Sequence, residues 1–371
     1  MLVTIAIVGA GLVGRFLALS LSQSHQVTLF EKGNLADACA TGRIAAAMVA
    51  PTAESVVASA SIVEMGHQSL TLWPQMLNAL DLETRFQQTG TLILAHRQDV
   101  NDLRHFTQRV RCRHAQDIQT LHNEQIQEIE PEIPPNFSSA LFLANEGHID
   151  NRLLYQELEK KLLSSKVTCF EETEVRIDDN RVSDVNNNLQ QWQFDWVIDC
   201  RGLGAKHTLL KPDNPLRGVR GEVVRVRAPE VTLTRPIRLM HPRYPLYIVP
   251  KSDDQYVIGA TEIESEDNKA PSVRSTLELL SAAYSIHKGF AEAEVIEIQT
   301  GLRPTLLDNE PSIIIKSKHI QINGLYRHGY LLTPCLVDQT LRLLEEQGET
   351  IELFSRQQQI NVDDHIQRLT T

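Results

Sequence analysis

The 371-residue sequence predicts an α/β protein in which a βαβ unit with parallel strands is interleaved with an α+β unit built on an antiparallel sheet. Three observations predict it. A short apolar strand turns through closely spaced glycines into an apolar helix at the very start of the sequence. A second apolar strand near residue 200 ends in another glycine turn. Between residues 218 and 293 a run of alternating strands carries the signature of an antiparallel sheet.

Residues 3–8 read as the first strand, β-branched and apolar, and the turn is Gly9-Ala10-Gly11-Leu12-Val13-Gly14. This is G-x-G-x-x-G between strand and helix, the context that a Rossmann-like dinucleotide site requires. Gly9 permits the tight turn, Gly11 lets the backbone approach a pyrophosphate, and Gly14 with Ala18 lets the helix lie close on the sheet. The helix N-terminus offers free N–H groups to phosphate. A second strand, residues 27–30, ends at Glu31, placed to accept from a ribose diol and to repel a 2′-phosphate, which disfavours NADP. The chain then enters "ATGRIAAAMVAPTAES" (residues 40–55), small residues with no amphipathic period, where a nicotinamide domain would continue with helix and strand. That favours a flavin.

Further along, residues 59–80 carry apolar side chains at helical intervals, and residues 82–144 read as strand, polar helix and strand. Residues 150–166 read as a returning helix, followed by strands at 167–170 and 174–177. The polar run 183–193 reads as a hairpin loop. Residues 194–200 form a buried strand ending in Arg201-Gly202-Leu203-Gly204, residues 272–287 a helix across the antiparallel sheet, and a last apolar helix is expected to begin around Cys335. The division that follows is 1–80, 145–217 and 294–371 for the cofactor domain, and 81–144 and 218–293 for the substrate domain.

Composition narrows the function. Hydrophobic residues at 42% and charged residues at 22% are ordinary for a folded enzyme, and a net charge of −11 disfavours a nucleic-acid partner. Five dispersed cysteines without a C-x-x-C pair suggest neither a disulfide framework nor a zinc site, and fit a cytoplasmic protein with reduced thiols. The histidines show no metal spacing, and no stretch has the length and apolarity of a transmembrane helix.

The glycine fingerprint, "AAAMVAP" (45–51), "TGTLILA" (89–95), "EGHIDNRLL" (146–154), "LYIVPK" (246–251), "YVIGATEIES" (256–265), "GLRP" (301–304) and "GLYRHGYLLTP" (324–334) occur in an order that resembles the D-amino-acid oxidase family of FAD-dependent oxidoreductases. Within it the sequence is most similar to the glycine oxidases linked to thiamine biosynthesis. The resemblance implies non-covalent FAD, a doubly wound FAD-binding domain under a smaller substrate domain, and oxidation of an amine beside a carboxylate. The sequence departs from the family at Arg201, where relatives usually carry a small residue, at His328, where glycine oxidases carry asparagine, and at Thr300, where a tryptophan is common.

By resemblance, Arg303 holds the substrate carboxylate in a bidentate fork. Tyr247 donates to the same carboxylate, with Tyr244 as the alternative. Arg327 and His328 lie near the flavin ring and the amine, His328 tuning charge near neutral pH, and the N-terminus of the last helix stabilises negative charge on the flavin. Cofactor contacts are expected from Gly9, Gly11, Leu12, Val13 and Gly14; from Glu31 and Lys32 after the second strand; and from Thr41, Arg43, Ala46, Ala47 and Met48 in the small-residue segment. Val175, Cys200 and Gly202 are expected to contribute from the middle of the chain, and Arg303, Arg327, His328, Gly329, Tyr330 and Leu331 from its end. His241 reads as structural.

The expected reaction is oxidative deamination of glycine or a small amino acid or amine by hydride transfer to flavin, with O2 as acceptor. A dehydrogenase passing electrons from a D-amino acid or sarcosine to another acceptor is the alternative within enzymes, and a flavoprotein that matures a partner polypeptide is the alternative outside small-molecule catalysis. A homo-oligomer is left open.

Overall fold

Two large sheets organise the computed structural model, which describes residues 2–36, 40–187, 189–240, 246–349 and 366–368. The first has seven strands in the order Ile366–Arg368, Ser312–Lys316, His319–Asn323, Trp196–Asp199, Thr4–Val8, Gln26–Phe30 and Thr168–Phe170. From His319–Asn323 to Thr168–Phe170 all neighbours are parallel. At the centre of the sheet, Thr4–Val8 and Trp196–Asp199 are buried on both faces and mostly apolar, as Ile5, Ile7, Val197 and Ile198 illustrate.

The helix Leu12–Leu21 crosses from Thr4–Val8 to Gln26–Phe30 on one side, whereas the strand on the other side, Trp196–Asp199, arrives from far along the chain. The strand order therefore reverses beside Thr4–Val8, and a ligand crevice is expected at the carboxyl ends of those two strands. Both glycine turns lie there. Gly9 has φ +102°, and a Cβ on it would stand 2.8 Å from the Cys200 carbonyl oxygen, so the two turns touch. A Cβ on Gly14 would stand 2.0 Å from the Gly9 carbonyl oxygen, which is why the helix can sit so low on the sheet.

The second sheet has eight strands, ordered Glu294–Leu306, Leu216–Arg227, Gln255–Gly259, Leu246–Pro250, Ile237–Leu239, Thr91–Leu94, Ser139–Leu143 and Ile118–His122. All pairs are antiparallel except Ile237–Leu239 with Thr91–Leu94, so the sheet is mixed at one junction. The helix Val273–Ile286 lies across it and buries Leu279, Ala283 and Ile286. Strand Glu294–Leu306 pairs along its length with Leu216–Arg227, so a division at 293/294 cuts it away from the sheet to which it is bonded.

The helix expected over 59–80 is Ala60–Ala79, started by the Ser59 hydroxyl accepting from Ile62 N–H at 3.3 Å. The polar run near 190 is the loop between strands Arg181–Asp184 and Gln191–Gln193. One boundary needs correction: the last helix is Gly329–Glu346 and begins six residues before Cys335. Pro334 reads as a helix start, because proline inside a helix deprives the carbonyl four residues earlier of its donor. Here that carbonyl, on Tyr330, accepts instead from the Trp73 indole N–H at 2.9 Å. A side chain 257 positions away thus rescues a helical turn that the local sequence disfavours.

Candidate functional site

At the switch point the two sheets enclose a cavity of about 1060 Å³, larger than the ~300–1,000 Å³ typical of small-molecule sites. One end is built by the nucleotide-type turns. Gly9, Gly11, Leu12, Val13, Glu31, Lys32, Cys200 and Gly202 all line it. A Cβ on Gly11 would meet nothing within 4 Å, so its backbone faces open cavity. Gly14 and Val175 do not reach the wall. Gly14 serves the close helix contact, and the Val175 side chain is packed with Ala6, Val8 and Phe30. The Glu31 carboxylate accepts from Ala10 N–H at 2.6 Å and from Gly33 N–H at 3.1 Å, bracing the turn while lining the crevice.

The small-residue segment forms the side wall with Thr41, Arg43, Ala46, Ala47 and Met48. It is held from several directions. Thr41 donates to Leu302 O at 3.1 Å, Tyr330 donates to Gly42 O at 2.9 Å, and Asn151 donates to Arg43 O at 2.6 Å. Lys251 Nζ donates to Ala46 O at 2.7 Å and to Ile149 O at 2.6 Å, and burial pushes its ammonium down to about 7 against the pull of Asp150. Ala47 has φ +55°, a left-handed conformation that these anchors maintain.

The opposite end is charged. Arg303, on Glu294–Leu306, donates to Thr261 O at 3.0 Å and Arg220 O at 3.3 Å, and forms no ion pair among the described residues. Gly221 makes room for it, since a Cβ there would stand 2.4 Å from Arg303 Nη2. Tyr247 lines the same end, its ring accommodated by Gly259 and its phenol pushed up by burial. Tyr244 and His241 lie outside the described residues.

Arg327 also reaches this wall, but two carboxylates engage it: Nη1 donates to Glu262 at 2.8 Å and Nη2 to Glu54 at 2.7 Å. Glu54 in turn stands 3.4 Å from Arg238. Burial alone would raise the Glu54 carboxyl, yet Arg327 and Arg238 hold it down at about 2. The sequence reading gave no role to Glu54, Glu262, Arg238 or Lys251, whose partners are distant in the chain, and it noted Arg201 only as a departure from the family. Three guanidiniums and two carboxylates face the cavity here, leaving one positive charge for an anionic ligand.

His328 is 5% exposed, precedes the last helix, and lines the cavity with Gly329, Tyr330 and Leu331. Burial, reinforced by Arg327 and opposed by Glu54, pushes it down to about 4. It is therefore neutral around pH 7. In the unfolded chain it takes up its proton near pH 6.5, so the unfolded state binds more protons between pH 6.5 and 4, and stability falls as pH is lowered through that window. His328→Gln is expected to abolish this loss, worth about 3 kcal/mol by pH 4. Urea unfolding at pH 7 and pH 4.5 measures it; identical pH slopes for wild type and variant would refute it.

Among the described residues no group of His, Cys, Asp and Glu could hold a metal, and no helix is long and apolar enough to cross a membrane. The cavity does fit FAD. Backbone can approach a pyrophosphate at Gly11, the helix N–H groups point to it, and a second compartment walled by small residues follows. Gly11→Ala is expected to fold normally and to weaken FAD binding at least tenfold, because its φ of −69° suits alanine while the new methyl enters the cavity. Titration of the apoprotein with FAD checks this; unchanged affinity would exclude the pyrophosphate from that point.

Comparison with known proteins agrees with this geometry. The family described as FAD dependent oxidoreductase, DAO, matches residues 4–336. A protein of Rhizobium etli named as the thiamine biosynthesis oxidoreductase ThiO is 35% identical over 92% of this chain and 96% of its own length. Glycine oxidase of Geobacillus kaustophilus is 28% identical over 89% of each. The crystal structure of glycine oxidase from that organism superposes with a TM-score of 0.79 at 23% identity, covering 96% of this chain and 100% of the other. Iminodiacetate oxidase from Chelativorans superposes with a TM-score of 0.79 at 19% identity, over 98% and 99%.

Proposed function

Because the chain belongs to the DAO family of FAD-dependent oxidoreductases, we propose that it oxidises glycine or another small amino acid at the carbon bearing the amine, with O2 as the electron acceptor. The chain is an oxidoreductase of the glycine oxidase and ThiO kind. The observation that carries the choice of substrate is Arg303, a guanidinium with no carboxylate partner among the described residues, in a compartment that carries one excess positive charge.

When bound, FAD supplies the two-electron acceptor that removes a hydride from the substrate and delivers the electrons to O2, giving hydrogen peroxide. The protein's own part is positioning. Arg303 grips the substrate carboxylate through two parallel N–H donors, and Tyr247 adds its hydroxyl, so the α-carbon is presented in one orientation. The neutral His328 adds no positive charge beside the amine, which must be unprotonated when its carbon gives up the hydride. The ion pairs around Arg327 keep that arginine from competing for the carboxylate. The imine product hydrolyses to the oxo acid and ammonia; glycine would give glyoxylate. The seven-stranded sheet and its helices serve FAD in this reading, and the eight-stranded sheet serves the substrate.

The test is anaerobic mixing of the FAD-loaded protein with glycine, sarcosine and small D-amino acids while the visible flavin absorbance is followed. Rapid bleaching by a small amino acid is the expected result, followed by peroxide formation when air is admitted. Bleaching without peroxide, but with turnover on an artificial acceptor, would replace the oxidase by a dehydrogenase. No bleaching by any of them would overturn the reading.

A further inference from the structure

Arg201 lines the cavity beside the first glycine turn, and the amine chemistry leaves it without a role. It stands two residues past the end of the strand Trp196–Asp199, and its backbone abuts the first turn: a Cβ on Gly9 would stand 2.9 Å from the Arg201 Cα. Its guanidinium is locked to the carboxylate of Asp199, Nε at 2.9 Å from Oδ1 and Nη2 at 2.8 Å from Oδ2. Asp199 is fully buried and also accepts from Gln321 at 3.0 Å, so the fork has a rigid base. Nη2 reaches Thr208 Oγ1 at 2.9 Å, and Nη1 reaches Val175 O at 3.4 Å. The side chain retains 15% exposure, and the residue is part of the cavity wall.

The charge of Arg201 is thus already matched, by a carboxylate that burial makes costly to leave unpaired. What the pair offers the cavity is a flat, fixed and nearly neutral surface. A phosphate would gain little from it, whereas an uncharged aromatic ring would gain stacking on a guanidinium plane that loses no freedom on binding. Gly202 and Gly204, on the same turn, keep the neighbouring wall free of side chains. Val175 supports the same placement. Its carbonyl accepts from Arg201 Nη1, which ties the strand Val175–Asp178 to the same corner of the wall.

We propose that the Asp199–Arg201 fork is the platform on which the adenine ring of FAD stacks. The inference rests on FAD as the cofactor and is independent of which amine is oxidised. Apoprotein of the wild type, Arg201→Ala and Arg201→Lys would be titrated with FAD by quenching of flavin fluorescence, and with ADP by competition, at two salt concentrations. Lysine keeps a cation beside Asp199 and so preserves the buried charge balance while removing the plane; circular dichroism and the apoprotein melting temperature verify its fold. The expected result is a loss of about tenfold for both variants, equal for FAD and ADP, with the salt dependence of binding unchanged. Wild-type affinity in Arg201→Lys would mean that charge suffices and would overturn the proposal. So would a loss for FAD with none for ADP, or a flattened salt dependence, which would place the guanidinium on a phosphate.

Discussion

Arg303→Ala is expected to retain FAD at wild-type stoichiometry and to lose roughly 10²- to 10³-fold in kcat/KM for an amino-acid substrate. The guanidinium's hydrogen bonds go to carbonyls of Thr261 and Arg220, so its removal breaks no ion pair among the described residues and leaves no buried carboxylate stranded. What is lost is a charge-assisted bidentate grip, with each bond to a charged group worth ~1.5–3 kcal/mol. Orientation is lost with it, so kcat should fall as well as affinity. Arg303→Lys should recover only part, since an ammonium matches the charge without the fork. Flavin absorbance of the purified variant and steady-state rates with the substrate found by anaerobic mixing make the measurement. Turnover within threefold of wild type would remove Arg303 from substrate binding.

Arg327→Met is expected to act on stability more than on recognition, lowering the unfolding free energy by about 3–5 kcal/mol. The side chains of Arg327 and Glu54 are only 19% and 14% exposed, so the variant leaves a largely buried carboxylate with Arg238 at 3.4 Å as its remaining ion-pair partner. Adding Glu54→Gln to Arg327→Met should restore part of the loss by removing that charge, a non-additivity that a double-mutant cycle reads directly. The acid limb should move too. With Glu54 held at about 2, below its unfolded value of 4.5, its ionised form stabilises the fold above about pH 4.5, and that contribution is lost as pH falls through 2. Without Arg327 the folded value rises and acid unfolding begins at higher pH. Urea denaturation of the two single variants and the double variant tests this; wild-type stability in Arg327→Met would show that the network is solvated.

These two arginines illustrate what a linear reading can and cannot reach. Both were singled out through the motifs that carry them, but only the structure separates their surroundings. Arg303 stands on a strand in space left by Gly221 and lines the cavity without a carboxylate partner among the described residues. Arg327 is pinned by Glu54, 273 positions away, and by Glu262, 65 positions away. The missed participants are of the same kind. Lys251 holds the Ala46 carbonyl across 205 positions, and Arg238, on the strand Ile237–Leu239, meets Glu54 on the helix Pro51–Glu54. No local period or spacing marks such pairs.

The amino-acid sequence by itself determined the α/β class, the dinucleotide turn and the neighbourhood of the cofactor. Those depend on short-range sterics: a β-branched strand, glycines where a Cβ would strike the next turn, and a helix beginning within a few residues of them. Tertiary structure alone decided where the last helix begins, which arginine is left for an anion, and why His328 stays neutral. Each depends on burial and on partners brought together from distant positions: Trp73 completes the turn that Pro334 breaks, Glu54 takes up Arg327, and the low dielectric around His328 disfavours its proton. Long-range contacts of this sort carry large energies because the interior excludes water, and folding is what creates that interior.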